Sequence, residues 1–163
     1  MKRIFLLLLC VLLSACHAAP AAPDLAGDFT AEVAFTLGER VYAATYTRSG
    51  ATKTVAFTAP DTLCGMTAAM GEDGALTVKI GDLVYAAQAA DGMLDFTRLW
   101  DVPADTLRFA GEEGGVRCFT ASGAGTRSTV YTDQNGLPIR MAGAVDGREY
   151  DLQILRYERR DGR

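Results

Sequence analysis

Phe29-Thr-Ala-Glu-Val-Ala-Phe-Thr-Leu37 is the stretch that decides the fold. Phe29, Ala31, Val33, Phe35 and Leu37 fall on one side of an extended chain, and Thr30, Glu32 and Thr36 on the other. Successive side chains of a strand point to opposite faces, so this pattern predicts a strand with one buried and one wet face. Gly38-Glu39 follows as a two-residue turn beginning with glycine, whose backbone twist suits a tight hairpin. Residues 41–48 then return, with Tyr42, Ala44 and Tyr46 alternating against Val41, Ala43, Thr45 and Thr47.

The same grammar continues downstream. A third strand, 53–59, centres on Val55 and Phe57 and stops at Pro60-Asp61. Weaker alternation covers 63–70, and two short strands, 75–80 and 83–87, flank Gly81-Asp82. Further strands are expected over 106–110, 116–121, 126–132, 137–145 and 148–157. Asp133-Gln-Asn-Gly136 and Asp146-Gly147 are the strongest turn signals among them. Seventeen glycines scattered between short apolar runs fit a mainly β, antiparallel domain of about ten strands. One segment breaks the period. Met93, Phe96, Leu99 and Trp100 are spaced three, three and one apart, with Asp91 available as an N-cap and Pro103 as a stop. They predict one short packing helix over residues 92–100.

Ahead of the first strand the chain has a different character. Lys2 and Arg3 precede an unbroken apolar run from Ile4 to Leu13, closed by Ser14-Ala15-Cys16. A basic start, a ten-residue apolar core and a small-residue end make a secretory signal, too short to span a bilayer. Leu13-Ser-Ala-Cys16 resembles the lipobox of bacterial lipoproteins, which implies cleavage before Cys16 and its acylation. The expected layout is a signal peptide over 1–15, a lipid-anchored flexible linker over 16–27 and one β domain over 28–163. The linker is rich in alanine and proline, contains His17, the sole histidine, and shows no periodicity. The protein is thus expected outside the cytoplasm, held at the outer face of the cytoplasmic membrane, or at an outer membrane where the host has one.

Without Lys2 and Arg3 the chain keeps 14 basic and 20 acidic side chains, a formal charge of about −6. An acidic body with no basic stripe argues against nucleic acid as partner and against electrostatic binding to anionic lipid. No Gly-x-Ser-x-Gly elbow is present, and a Ser-His-Asp relay would need His17, which lies in the linker. Close clusters of His, Cys and carboxylates are missing from the sequence, so neither a metal nor another cofactor is expected. Cys64 and Cys118 stand in predicted strands of an exported protein. They are read either as a disulfide or as two buried thiols.

Three stretches together resemble the lipoprotein-carrier family of the LolA and LprG type. They are Phe29-Thr-Ala-Glu-Val-Ala-Phe35, then Ala56-Phe-Thr-Ala-Pro60 with the short strands up to Tyr85, and Tyr131-Thr-Asp-Gln-Asn-Gly-Leu-Pro-Ile-Arg140 with Asp146-Gly147 and the last strand. The resemblance implies a strongly curved antiparallel half-barrel whose open side is covered by helical structure. Its departures are the lipid anchor, where the carrier itself is soluble, and the lack of a helix before the first strand.

The leading expectation is a non-catalytic, membrane-anchored lipoprotein. It would bind an apolar or amphipathic ligand, such as a lipid, in a cleft beneath the 92–100 helix. Val33, Phe35 and Phe57 of the sheet and Met93, Phe96, Leu99 and Trp100 of the helix are its candidate lining, although the helix face also reads as plain core. The alternative is a structural or protein-interaction module of the cell envelope with a filled interior. Acylation is directly measurable. In a bacterium fed labelled fatty acid, the full chain is expected to take up label and a Cys16→Ser variant to lose it; equal labelling refutes the lipobox reading.

Overall fold

The structure, a computed structural model, describes residues 20–87, 94–123 and 125–160. The expected signal segment, Cys16, His17, Asp91 and Met93 lie outside the described residues. Eleven strands form one antiparallel sheet: β1 (Phe29–Leu37), β2 (Arg40–Ser49), β3 (Thr52–Ala59), β4 (Met66–Met70), β5 (Leu76–Ile80), β6 (Leu83–Ala87), β7 (Arg108–Glu113), β8 (Val116–Gly123), β9 (Thr126–Thr132), β10 (Pro138–Val145) and β11 (Arg148–Arg159). Their spatial order is β6-β5-β4-β3-β2-β1-β11-β10-β9-β8-β7. Two meanders therefore meet at the centre, where β1 pairs with β11 from Phe29 opposite Arg159 to Thr36 opposite Asp151. The sheet is curved and open, the mainly β half-barrel that the resemblance implies.

Alternation assigns the two faces. On the inner face Phe35 lies opposite Leu152, Leu152 opposite Met141, Met141 opposite Val130, and Val130 opposite Phe119. All five side chains are buried. The outer face carries ion pairs instead: Arg140 reaches Asp151 with two hydrogen bonds at 2.6 and 2.8 Å, and Arg127 lies 2.7 Å from Glu149. One dry and one wet face is the usual arrangement of an antiparallel sheet. The turns follow the sequence reading. Gly38 and Gly81 adopt positive φ in two-residue turns, and Asp146 and Gly147 take φ of 48° and 83° as a mirror-image turn requires.

The expected helix is present in altered form. It is a 3₁₀ helix over Asp95–Trp100 rather than a regular helix over 92–100. Phe96, Thr97, Leu99 and Trp100 are all buried. With three residues per turn, Phe96 stacks over Leu99 and Thr97 over Trp100, so two rows face the sheet at once. The close approach depends on Gly143 of β10, where a Cβ would fall 1.9 Å from the Arg127 carbonyl oxygen and 3.1 Å from Leu99. Ser128 Oγ donates to the Leu99 carbonyl at 3.3 Å and secures the contact.

The linker expectation needs correcting in its last part. Pro23 and Leu25 are buried, and Ala22 packs against the core. Asp24 pairs with Arg159, and Arg48 Nη1 donates to the carbonyls of Leu25 (3.2 Å) and Trp100 (3.4 Å). A hydrogen bond from the Ala26 amide, aided by Arg159, holds the Asp24 carboxyl below its ordinary pKa, so the ion pair is intact at neutral pH. Residues 22–27 thus form a strap on the domain. Composition hid it because one leucine and one proline make no period. Leu25→Ala is expected to lower stability by about 2–5 kcal/mol, as for other fully buried leucines. A melt unchanged from wild type would show that the segment is free.

Candidate functional site

The described residues of the expected ligand cleft come together, but they enclose no cleft. Val33, Phe35, Phe57, Phe96, Leu99 and Trp100 are each no more than 2 % exposed. Phe96 lies 4.4 Å from Phe35, ring centre to ring centre, and Trp100 lies 4.9 Å from Phe29 and 5.6 Å from Tyr46. Tyr157 stacks parallel to Trp100 at 6.3 Å. The space between sheet and helix is filled by the protein's own rings. That corrects the expectation of an open cleft beneath the helix, and the reason is the tight 3₁₀ winding, which turns four of six side chains inward. Aromatic pairs at such spacings add about 0.5–1.5 kcal/mol each beyond simple burial.

The packing is imperfect for polar atoms. The Tyr46 hydroxyl, the Trp100 indole N–H and Arg48 Nε are buried without a hydrogen-bond partner among the described residues. Burial drives the Tyr46 pKa well above its ordinary value; the Asp101 carboxylate adds to this, and Arg48 opposes it. Tyr46 therefore stays a neutral phenol at every physiological pH.

A cavity of about 400 Å³ opens beside this core instead. Val102, Pro103 and Thr106 of the connection after the helix form one wall, and Ala121, Gly123 and Thr126 of the β8–β9 hairpin form the other. Sequence reasoning gave these residues no binding role. Pro103 reads only as a helix stop, and Ala121 and Thr126 only as strand ends on either side of a turn. Two charged side chains border the cavity, and both are engaged: Arg98 pairs with Asp146, and Asp101 with Lys53 and, at 3.6 Å, with Arg48. Ligand pockets typically hold 300–1,000 Å³, and this one falls at the small end of that range, with Thr106, Ser122 and Thr126 adding hydroxyls to its lining. Among the described residues no group of His, Cys, Asp and Glu could hold a metal ion.

Neither reading of the cysteines holds in full. Cys64 and Cys118 are free thiols and not a disulfide, yet they are not two buried ones: the first is exposed, outside any strand, and the second half-buried. Cys64 follows β3, and Cys118 lies on β8, with β2, β1, β11, β10 and β9 between those strands in the sheet. Burial pushes the Cys118 thiol pKa up and keeps it protonated. It borders a shallow outer-face hollow with Glu112, Glu113 and Tyr131.

No protein-family model matches the chain, and no curated protein matches it in sequence. Solved structures do match its fold. A LolA superfamily protein from Nitrosomonas europaea superposes with a TM-score of 0.50 at 11% identity, over 89% of this chain and 91% of that one. An uncharacterized conserved protein from Thermus thermophilus gives 0.54 at 16%, over 85% and 82%. MucB gives 0.51 at 12%, over 88% of this chain but 57% of its own. The fold of this chain is LolA-like.

The filled interior carries its own test. Trp100→Ala is expected to cost about 3–5 kcal/mol, the range for removing a large buried aromatic. A loss below about 1 kcal/mol, the scale of a surface substitution, would instead make Trp100 a loosely seated cover.

Proposed function

We propose that this chain is a bacterial envelope lipoprotein, anchored through an acylated Cys16, whose LolA-like half-barrel binds an apolar or amphipathic molecule such as a lipid without catalysing its change. The observation that carries the reading is the cavity between Val102-Pro103 and the β8–β9 hairpin. Its lining is mainly apolar, and its volume suits part of an acyl chain or a comparably small apolar group. The fold likeness supports a carrier-like role over an enzymatic one. Val33, Phe35, Phe57, Phe96, Leu99 and Trp100 shape the core behind this pocket and are not its contact surface. No cofactor is assigned, and nucleic acid is not a partner in this reading.

A second reading, an interaction module of the envelope, has one specific observation in its favour. The edge strand β6 exposes Leu83, Val84 and Tyr85, and Ile80 is exposed beside it on β5. The opposite edge, β7, exposes Phe109 but also carries Arg108, Glu112 and Glu113 and a register break between Phe109 and Gly111. Charges and bulges guard an edge against strand addition, and a bare apolar edge invites it.

Native mass spectrometry separates the two. The soluble chain beginning at His17, purified from a bacterium, is expected to carry a molecule that solvent extraction releases. Ala121→Trp, which fills the cavity from one wall, is expected to abolish that adduct while the melt stays close to wild type. If wild type carries nothing and takes up no added lipid, the interaction module stands in place of the binding protein.

A further inference from the structure

The strap that the sequence reading took for free linker also determines which end of the sheet can face a membrane. Asp24 is tied to Arg159 at the end of β11, and Phe29 lies opposite both Arg159 and Arg48. The Gly50 amide donates to Asp28 Oδ1 at 2.7 Å, which puts the β2–β3 turn at the same end. The Gly38-Glu39 turn after β1 and the Asp146-Gly147 turn before β11 mark the opposite end. The β8–β9 turn joins them there, because the Asp146 amide donates to the Gly125 carbonyl at 3.0 Å.

Chain reach decides between the ends. From Cys16 to Asp24 a fully extended chain covers at most about 29 Å. Since Ala22 already packs on the core, the stretch from Cys16 to Ala22 covers at most about 22 Å. Along β11, Arg148 stands about 36 Å from Arg159 at the usual strand rise. The domain cannot stand upright on its far end on a bilayer that holds Cys16 while Asp24 stays on Arg159.

We infer that the partner of the strap end, meaning residues 24–27, the β2–β3 turn and the end of β11, is the lipid surface itself. The Gly38-Glu39 and Asp146-Gly147 turns and the β8–β9 tip, which forms one wall of the cavity, then point away from the bilayer. This inference rests on the Cys16 anchor proposed above. Asp24 with Arg159, and Asp101 with Lys53 and Arg48, pair acid with base at this end, so these groups add little attraction to an anionic surface. Proximity comes from a short tether and a docked strap.

The test uses the full, acylated chain with Cys64→Ser and Cys118→Ser, reconstituted into phosphatidylcholine vesicles containing a headgroup-labelled acceptor lipid. A donor dye is placed through Ser49→Cys at the strap end or Glu39→Cys at the far end. Energy transfer to the lipid is expected to be several-fold stronger from position 49. A flexible Gly-Ser insertion between Ala19 and Pro20, which leaves the strap intact, is expected to bring the two positions toward equality. Equal or reversed transfer in vesicle-bound protein overturns the orientation, and a difference untouched by the insertion overturns the reach argument. Protein that does not float with the vesicles at all overturns the Cys16 anchor, and the orientation with it.

Discussion

The pairing of β1 with β11 is the interaction on which the rest depends. Each meander alone is a run of local hairpins with two open edges. Joined at the centre, they become one sheet whose inner face can close around a single core. The join is also the place where chain ends separated by the whole domain must find each other, and such non-local pairing pays its loop-closure cost before it gains contacts. A register shift between Glu32 and Val33 bends this central ladder and leaves Leu155 exposed on the bulge. Bulges increase local twist, which suits a sheet that curls around its contents.

What fills that curl is the segment linking the two meanders. Phe96, Leu99 and Trp100 come from the connection between β6 and β7, and they occupy the hollow that a curved sheet would otherwise leave open. Arg48 then binds the two pieces that cover this end of the core, the strap at Leu25 and the helix end at Trp100. Its Nε, the Tyr46 hydroxyl and the Trp100 N–H remain without partners among the described residues, and each such buried group costs about 1–3 kcal/mol. Shape is satisfied more fully than polarity. The cavity therefore survives where the connection turns away at Val102-Pro103 and the β8–β9 hairpin offers only the small side chains of Ala121, Ser122, Gly123 and Thr126 to meet it.

Charge is organised differently on each side of the sheet. The outer face is laced with exposed pairs such as Arg127 with Glu149 and Arg156 with Glu32, which are worth little individually in water. The pairs that matter to the architecture are those that tie segments together: Asp24 to Arg159 for the strap, and Asp101 to Lys53 and Arg48 for the exit of the helix. These pairs fix the strap end of the domain, while the cavity is bordered by the connection after the helix and the β8–β9 hairpin.

The sequence alone determined the strand-rich class, most strand positions and the hairpin turns, because each is written in neighbouring residues. Alternation along Phe29 to Leu37 and a turn such as Asp146-Gly147 depend on backbone geometry over a few residues. The sequence also marked Phe96, Leu99 and Trp100 as a buried face, yet spacing could not tell a regular helix from a 3₁₀ turn or a lid from a plug. Only the tertiary structure decided that Leu25 belongs to the core, that Cys64 and Cys118 stand apart, and that the open volume lies at Val102 and Ala121 rather than under Trp100. Those outcomes depend on which distant side chains compete for the same space, and a local period carries no information about the volume that remains once the sheet has curled.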